Sequence, residues 1–282
     1  MAVGMDPVVS TAWLADRLRG PDVRVVDGSW HMPAEARNGR EEYLQAHIPG
    51  AVFFDIDAIA DPETDLPHML PTPEAFARAA GDLGLSRDAD IVVYDTHGVR
   101  SAARVWWTLR AMGYETVHVL DGGLRKWMAE GRPIESGEVF PRRAEVSPAF
   151  APGLVRDAAK VREILQTGSA RMVDARSAAR FSGKAPEPRA GLRPGHMPGA
   201  ANLPWEQVIA EDGTLRPAGD LREVFKAAGI DLRAPIVTTC GSGVTASVLT
   251  LALARLGVTA AVYDGSWTEW GGLADAPVVT DA

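Results

Sequence analysis

The residue best suited to nucleophilic chemistry is the single cysteine, Cys240, which Gly241-Ser242-Gly243 follows directly. From Val244 onward, apolar residues recur at helical spacing. Glycines let a loop curl so that its backbone N–H groups face inward, and a helix N-terminus adds partial positive charge. Such surroundings favour a thiolate over a thiol and would equally stabilise a persulfide anion. The loop therefore predicts a reactive cysteine rather than a small apolar core residue.

Three other chemistries fit parts of this loop. The segment 241–246 matches the dinucleotide-binding pattern G-x-G-x-x-A with Asp264 downstream, but that pattern normally opens a fold and here stands late in the chain. A cysteine-dependent phosphatase needs an arginine six residues after the cysteine, where this chain has Ala246. A Cys–His hydrolase needs a base. His47 and His196 are candidates, but each lies in its own copy of a repeated turn, which suggests a partly structural role.

The composition limits the class of protein further. A chain of 282 residues, 46% hydrophobic and 23% charged, is long enough for two ordinary globular domains. The net charge of −8 argues against a nucleic-acid or anionic-membrane surface. A lone thiol suits a reducing compartment. Since residues 1–10 lack the pattern of a signal peptide and no long apolar run occurs, we predict a cytoplasmic protein.

Several segments of the chain occur twice, in the same order, which indicates an internal duplication. The paired segments are His47–Ala51 and His196–Ala200, Ile91–Val99 and Ile236–Val244, and Asp121-Gly122 and Asp264-Gly265. In this pairing Asp95 corresponds to Cys240.

Each copy alternates short apolar strands with amphipathic helices, which predicts an α/β protein of two tandem domains, each a parallel sheet with helices on both faces. We expect an N-terminal domain over 1–138, a linker over 139–153 and a C-terminal catalytic domain over 154–282. Predicted strands are Val23–Asp27, Ile91–Tyr94, Thr116–Leu120, Arg171–Asp174, Ile236–Thr239 and Ala260–Tyr263, and predicted helices are Pro73–Leu83, Ala102–Met112, Leu221–Ala228 and Val244–Leu256.

The segment Cys240–Ala246 resembles the active-site loop of the 3-mercaptopyruvate sulfurtransferases of the rhodanese superfamily. The resemblance extends over essentially the whole chain and includes the paired His-x-Pro-Gly-Ala turns, Asp121–Trp127 and Asp264–Trp267. It implies two rhodanese folds, of which only the second is catalytic. Asp95, which cannot carry sulfur, agrees with a non-catalytic first copy.

The resemblance also implies roles for individual residues. Arg180 and Arg189 match two arginines that bind the donor's carboxylate and keto oxygen, a task that suits the guanidinium fork. Ser242 and His47 match a proton-relay pair, although His47 is equally well explained as a turn cap. The pair would have an acid behind the histidine, but none of the polar residues upstream of His47 is assigned to that role; they are Glu35, Asn38, Glu41 and Glu42. We expect the amides of Gly241, Gly243, Val244 and Thr245 to hold the charged sulfur, and the Thr245 hydroxyl to cap the following helix.

The implied reaction transfers sulfane sulfur through a Cys240 persulfide to a thiol, a thioredoxin-like protein or cyanide. No metal or organic cofactor is predicted. Relatives that prefer thiosulfate have basic residues directly after the cysteine, whereas Gly241 and Ser242 are uncharged, which favours 3-mercaptopyruvate over a small dianion. Thiosulfate sulfurtransferase activity, or a non-catalytic role as a persulfide carrier, remains the alternative.

Overall fold

The computed structural model describes residues 6–281, which form two five-stranded sheets with identical topology. The first sheet has the strand order β1-β5-β4-β2-β3 and the second β6-β10-β9-β7-β8, and every pair is parallel. The strands are β1 Val8–Val9, β2 Val23–Asp27, β3 Val52–Phe53, β4 Asp90–Tyr94, β5 Val117–Leu120, β6 Val155–Arg156, β7 Arg171–Asp174, β8 Ala201–Asn202, β9 Ile236–Thr239 and β10 Ala261–Tyr263. The predicted duplication and fold class are confirmed.

Helices connect the strands, as a parallel sheet requires. They are α1 Thr11–Arg17, α2 Gly39–Gln45, α3 Pro73–Asp82, α4 Ser101–Ala111, α5 Gly123–Ala129, α6 Ala158–Thr167, α7 Ala178–Phe181, α8 Ala218–Ala227, α9 Val244–Arg255 and α10 Ser266–Trp270. Three short 3-10 helices cover Pro33–Glu35, Pro152–Leu154 and Trp205–Val208. Within residues 6–281 no helix is long and apolar enough to cross a bilayer.

The chain divides into two compact units. Among the described residues, the first comprises 6–61, 70–151 and 210–215, and the second 62–69, 152–209 and 216–281. Most of the segment that we expected to be a linker is attached to the first unit, where Ala144 N–H donates to Gly81 O at 2.9 Å and Ala151 N–H to Ala111 O at 2.7 Å. The proline-bearing composition of this segment reflects an extended path over the surface of one unit.

Strand β7 of the second sheet lies between β8 and β9. Strand β8, the next in the chain, pairs with one edge of β7, and β9 pairs with the other. Ligands of open parallel sheets bind at the carboxyl ends of the strands where the order reverses in this way. Cys240 directly follows β9, and Asp174 ends β7. The topology therefore brings both residues to the edge of the sheet where a site is expected.

The tryptophans chiefly build the cores of the two units. Trp127 is fully buried in the first, and Trp267 and Trp270 are fully buried in the second. Each indole N–H has a carbonyl partner, such as Trp267 Nε1–H to Arg193 O at 2.9 Å. These three side chains therefore anchor the packing of their units.

The acids that end the equivalent strands β2 and β7 have different surroundings. Asp27 is buried and accepts the Ser29 N–H at 2.9 Å, whereas Asp174 has an arginine, Arg176, at the position that matches Ser29. Burial raises the pKa of Asp27 from its ordinary value of 3.8 to about 6, and the hydrogen bonds from Ser29 only partly offset it. The first copy therefore contains a carboxyl group that the fold favours in its protonated form.

This difference predicts a pH dependence of stability. Because the folded-state pKa of Asp27 is raised, its contribution is complete below the unfolded-state value and is lost as the pH rises through about 6. The difference between the folded-state and unfolded-state pKa values corresponds to roughly 3 kcal/mol of folding stability. We expect Asp27→Asn to gain stability relative to the parent protein between about pH 4 and pH 7, as measured by urea unfolding. A free-energy difference that stays constant over this range would contradict the prediction.

Candidate active site

Cys240 lies at the carboxyl end of β9 and is only 2% exposed. Its backbone is held on both sides by the segment that follows β10. The Cys240 N–H donates to Ser266 Oγ at 3.3 Å, and the Trp267 N–H donates to Cys240 O at 2.9 Å. Thr268 donates to Gly241 O twice, from its N–H at 2.9 Å and from its hydroxyl at 2.7 Å. Residues 266–268 therefore fix the position of the cysteine in the loop.

One member of this clamp has an unusual backbone. Ser266 has φ of 50°, in the left-handed region that non-glycine residues rarely adopt. The matching residue of the first copy is Gly123, with φ of 58°. Glycine adopts this conformation without a steric penalty, whereas serine pays about 1 kcal/mol or more. The serine supplies the hydroxyl that contacts Cys240, and glycine cannot.

Helix α9 begins directly after the loop. Gly243 is its N-cap, with φ of 79°, and the helix starts at Val244. The expected capping role of Thr245 is wrong, because Thr245 lies inside the first turn and no side chain caps this helix. The first amides of a helix have no partner within it. A glycine N-cap therefore leaves those amides available to a ligand at the end of β9.

The first copy contains an anion at the matching place. The Asp95 carboxylate accepts four backbone N–H groups, from His97 at 2.8 Å, Gly98 at 2.7 Å, Arg100 at 2.7 Å and Ala102 at 2.8 Å. Helix α4 begins two positions later than α9 in the repeat alignment. In both copies the glycine of the loop has positive φ, 121° at Gly98 and 79° at Gly243.

Arg180, at the end of α7, contacts the cysteine loop. A Cβ placed on Gly241 would lie 3.2 Å from Arg180 Nη2, which is tight packing. The side chain of Arg180 is 25% exposed. The structure therefore places one predicted donor-binding arginine beside the loop, with an open side toward solvent. Arg189 is partly buried in the coil between α7 and β8, and its contact with a donor stays a prediction.

A buried chain of ion pairs leads from β7 to Arg180. Asp174 Oδ2 lies 2.6 Å from Arg176 Nη2, Arg176 Nη1 lies 2.8 Å from Glu187 Oε1, and Glu187 Oε2 lies 2.5 Å from Arg180 Nη2. The Arg176 guanidinium also stacks 4.0 Å from the Trp267 ring. Burial alone would lower the pKa of Arg176, but Asp174 and Glu187 outweigh it and raise the value.

Sequence reasoning assigned no role to Asp174, Arg176 or Glu187. Glu187 lies in the stretch between the two predicted arginines, but its composition is typical of a solvated loop. The side chains of Arg176, Asp174 and Glu187 are 0%, 2% and 1% exposed. Only this burial distinguishes them from ordinary surface charges.

His47 is explained by contacts within the first unit. Its Nδ1–H donates to Tyr43 O at 2.8 Å, and its ring stacks on Tyr43 at 4.3 Å. In the second unit His196 repeats the pattern, donating to Phe181 O at 2.9 Å and stacking on Phe181 at 3.7 Å. Both histidines therefore support their turns in the same way.

Glu135, which was not among the residues considered from the sequence, approaches His47, with its Oε2 4.0 Å from His47 Nε2. Asn38 instead caps α2, and Glu42 pairs with Arg37.

One group outside the cysteine loop has metal-ligand chemistry. His31, Glu35 and His97 place ligand atoms within 4.8 Å of one another. Arg100 pairs with Glu35 at 2.8 Å, and the guanidinium nitrogens of Arg100 and Arg37 lie 3.3 Å and 3.5 Å from His97 Nε2. Burial, followed by the charge of Arg100, lowers the pKa of His97. Two cations at this position disfavour a bound metal ion.

Two copies of one parallel sheet, with a clamped cysteine in the second and a caged aspartate in the first, define a tandem-domain protein with a single cysteine site. Residues 10–130 and 157–273 each match the model of the rhodanese-like domain. The chain belongs to this family, as the sequence predicted.

Several known proteins are similar over nearly the whole chain. The mitochondrial thiosulfate/3-mercaptopyruvate sulfurtransferase 1 of Arabidopsis thaliana is 45% identical, over 97% of this chain and 78% of its own. The 3-mercaptopyruvate sulfurtransferase of Escherichia coli K12 is 44% identical, over 96% of each chain. A crystal structure of a 3-mercaptopyruvate sulfotransferase from Escherichia coli superposes with a TM-score of 0.86 at 42% identity, over 93% of this chain and 99% of that one. The names of these relatives agree with the enzyme class predicted from the sequence.

The ion-pair chain predicts a large cost for removing its central residue. Arg176→Met leaves two buried carboxylates, Asp174 and Glu187, without their shared partner. Breaking a buried pair in this way costs about 3–5 kcal/mol. We expect a loss of this size in urea unfolding, whereas Lys160→Met, which removes an exposed partner of Glu163, should cost less than about 1 kcal/mol. Equal effects of the two substitutions would contradict the prediction.

Proposed function

We propose that this protein transfers sulfur from 3-mercaptopyruvate to a thiol or cyanide acceptor through a persulfide on Cys240, and releases pyruvate. The observation that carries the proposal is the clamped cysteine, which lies in the loop just before α9, where the next residue, Gly241, is beside the Arg180 guanidinium. These elements provide a nucleophile, a set of amides for negative charge and a cation for the donor's oxygens.

The first half-reaction begins with attack of the Cys240 thiolate on the sulfur of the donor. A sulfur–sulfur bond forms and the donor's carbon–sulfur bond breaks. Its electron pair stays on carbon as the enolate of pyruvate, which then takes up a proton. In the second half-reaction the acceptor attacks the outer sulfur, the sulfur–sulfur bond breaks and the Cys240 thiolate returns. No metal or organic cofactor enters these steps.

The first copy supports an anion-holding role for the loop. A carboxylate oxygen of Asp95 is two bonds from its Cβ, as the outer sulfur of a cysteine persulfide would be. Four amides hold the Asp95 carboxylate. We infer that the amides of the second loop, from Gly241 to Thr245, hold the charged outer sulfur in a similar way.

The choice of donor rests on charge. Gly241 and Ser242 are uncharged, and Arg180 is already paired with Glu187. A small dianion such as thiosulfate gains most from unpaired cations close to the sulfur. A keto acid instead places its charge on a carboxylate, which Arg180 and Arg189 would bind. Thiosulfate is the alternative donor, because the name of the Arabidopsis relative includes both compounds.

The remaining assignments are also proposals. Ser242 is buried at 6% exposure and lies in the loop, where its hydroxyl would pass a proton to the departing enolate. His47 would take part only through Nε2, since Nδ1 is bonded to Tyr43 O. A small dithiol protein of the thioredoxin kind is the proposed acceptor. The lone thiol of the chain favours a reducing compartment, and we propose the cytoplasm.

The first test is product formation from two donors. We expect strong pyruvate release from 3-mercaptopyruvate and weak thiocyanate formation from thiosulfate, with cyanide as the acceptor in both assays. Cys240→Ser should abolish both reactions and should keep the parent melting temperature to within a few degrees, because the hydroxyl fits the thiol's space. Faster turnover of thiosulfate would reverse the donor assignment, and substantial activity in Cys240→Ser would refute the persulfide mechanism.

The second test addresses the arginines. Loss of a charged contact to a donor carboxylate costs about 2–5 kcal/mol, which corresponds to at least tenfold in affinity. We expect Arg180→Ala and Arg189→Ala to raise the KM for 3-mercaptopyruvate by that factor, with a much smaller effect on the KM for cyanide. Arg233→Ala, which removes an arginine side chain that is 91% exposed, serves as the control. An unchanged donor KM would mean that the arginine does not contact the donor.

A further inference from the structure

Two successive carbonyl groups of the cysteine loop are held by two successive residues of α10. Cys240 O accepts from the Trp267 N–H at 2.9 Å, and Gly241 O accepts from the Thr268 N–H at 2.9 Å. In a strand, successive peptide units point to opposite sides of the chain. Here both carbonyl groups point toward residues 267 and 268, so the chain leaves the geometry of a strand directly after β9.

The direction of each carbonyl group fixes the direction of the N–H group that follows it. A trans peptide unit is planar, and its C=O and N–H point opposite ways. Every peptide bond among the described residues is trans. The N–H groups of Gly241 and Ser242 therefore both point away from residues 267 and 268. Successive N–H groups that share a direction form a concave nest that binds anions.

The first copy indicates which side chain this nest faces. Asp95 O is held in the same way by the N–H of Leu124 in α5, at 3.0 Å. The carboxylate of Asp95 accepts the His97 N–H at 2.8 Å. Since Asp95 and His97 match Cys240 and Ser242 in the repeat, the Ser242 N–H is directed toward the side chain of Cys240.

The two copies differ in what stabilises the nest. N–H groups that converge on one place have like partial charges, which an anion between them offsets. Asp95 supplies that anion permanently, whereas Cys240 supplies one only as a thiolate or a persulfide. The second loop therefore needs a support that does not depend on the state of the sulfur.

Thr268 provides such a support through its side chain as well as its backbone. Its hydroxyl donates to Gly241 O at 2.7 Å, in addition to the bond from its N–H. A carbonyl oxygen has two lone pairs, and both are occupied in this arrangement. The matching residue of the first copy is Arg125, which has no hydroxyl.

We propose that Thr268 is a positioning residue for the charged sulfur of Cys240. With both bonds to Gly241 O in place, the Ser242 N–H points at the sulfur before its charge forms, so the loop need not reorganise when the charge appears. Without the hydroxyl, the peptide unit between Gly241 and Ser242 can turn while the sulfur is neutral, which stabilises the thiol relative to the charged form. The persulfide part of this inference rests on the proposed function, whereas the effect on the thiolate does not.

The first experiment titrates the thiol and needs no donor. Cys240 is the only cysteine, so the ultraviolet absorbance of its thiolate in the reduced protein, with Cys240→Ser as the blank, reports this group alone. Thr268→Val keeps the branched shape and the backbone N–H but removes the hydroxyl. We expect the midpoint pH to rise by about half to one unit, which corresponds to the loss of one hydrogen bond. Thr268→Ser keeps the hydroxyl and should leave the midpoint unchanged.

Thr167→Val is the matched control. The Thr167 hydroxyl also donates to a carbonyl group, Glu163 O at 2.8 Å, but it lies at the exposed end of α6. The substitution removes the same kind of bond outside the cysteine loop, so the midpoint should stay at the parent value. A Thr268 hydroxyl that only supported packing would lower the melting temperature of Thr268→Val without moving the midpoint.

The second experiment separates kcat from KM. Because the hydroxyl acts on the sulfur and not on the donor, Thr268→Val should lower kcat for pyruvate release from 3-mercaptopyruvate by about twofold to tenfold. Its KM should stay within about twofold of the parent. Thr268→Ser should restore the parent kcat. A raised KM with an unchanged kcat would assign Thr268 to donor binding and would contradict the inference.

The outcomes are distinguishable from a failure of the proposed function. If the parent protein turned over neither donor, the sulfurtransferase proposal would fail while the titration still tested Thr268. An unchanged midpoint in a folded Thr268→Val variant would overturn the inference, as would a Thr268→Ser variant with the same shift as Thr268→Val. If Thr268→Val did not fold, Thr268→Ala, which also lacks the hydroxyl, must show the rise. Failure of both to fold beside a folded Thr268→Ser would assign the hydroxyl to stability alone and would also overturn the inference.

Discussion

The site depends on one constraint, the direction of the backbone amides where β9 ends and α9 begins. Those amides can face inward only if Gly243 adopts a positive φ and Cys240 is held firmly at the end of the strand. Residues 266–268 provide that hold through four hydrogen bonds to Cys240 and Gly241. The strained backbone of Ser266 is explained by the same need, because a glycine there would lack the hydroxyl that accepts from Cys240.

The duplication places two different side chains, Asp95 and Cys240, in matching loops of the two copies. In the first copy the loop holds a fixed carboxylate, which satisfies the amides permanently. In the second copy the loop has a cysteine, whose charge changes during the proposed reaction. One copy is therefore a stable structural element and the other a site, although their strand order is identical. The difference rests on single residues, such as Ser29 against Arg176, rather than on the fold.

Charge balance links the second sheet to the chemistry. Asp174 ends β7, its partner Arg176 packs on Trp267, and Glu187 connects that pair to Arg180 beside Gly241. Since Trp267 also donates to Cys240 O, the packing and the electrostatics of the site share the same residues. The core of the second unit and the site therefore share residues, and a change in Arg176 should alter both.

Local signals in the sequence determined the duplication, six of the ten described strands and the cysteine loop, because hydrophobic periodicity, glycine punctuation and repeated motifs are properties of short segments. Arg180 was indicated only by the family resemblance. The local signals also led to the wrong cap at Thr245, since the exact start of a helix depends on loop conformation. Only the tertiary structure decided which charged residues are buried. Glu187 lies in a sequence typical of a solvated loop, and it matters because folding brings Arg176 and Arg180 to its two oxygens. The solvation of a charge depends on neighbours that are distant in the chain or fixed by loop packing, and local sequence does not encode those contacts.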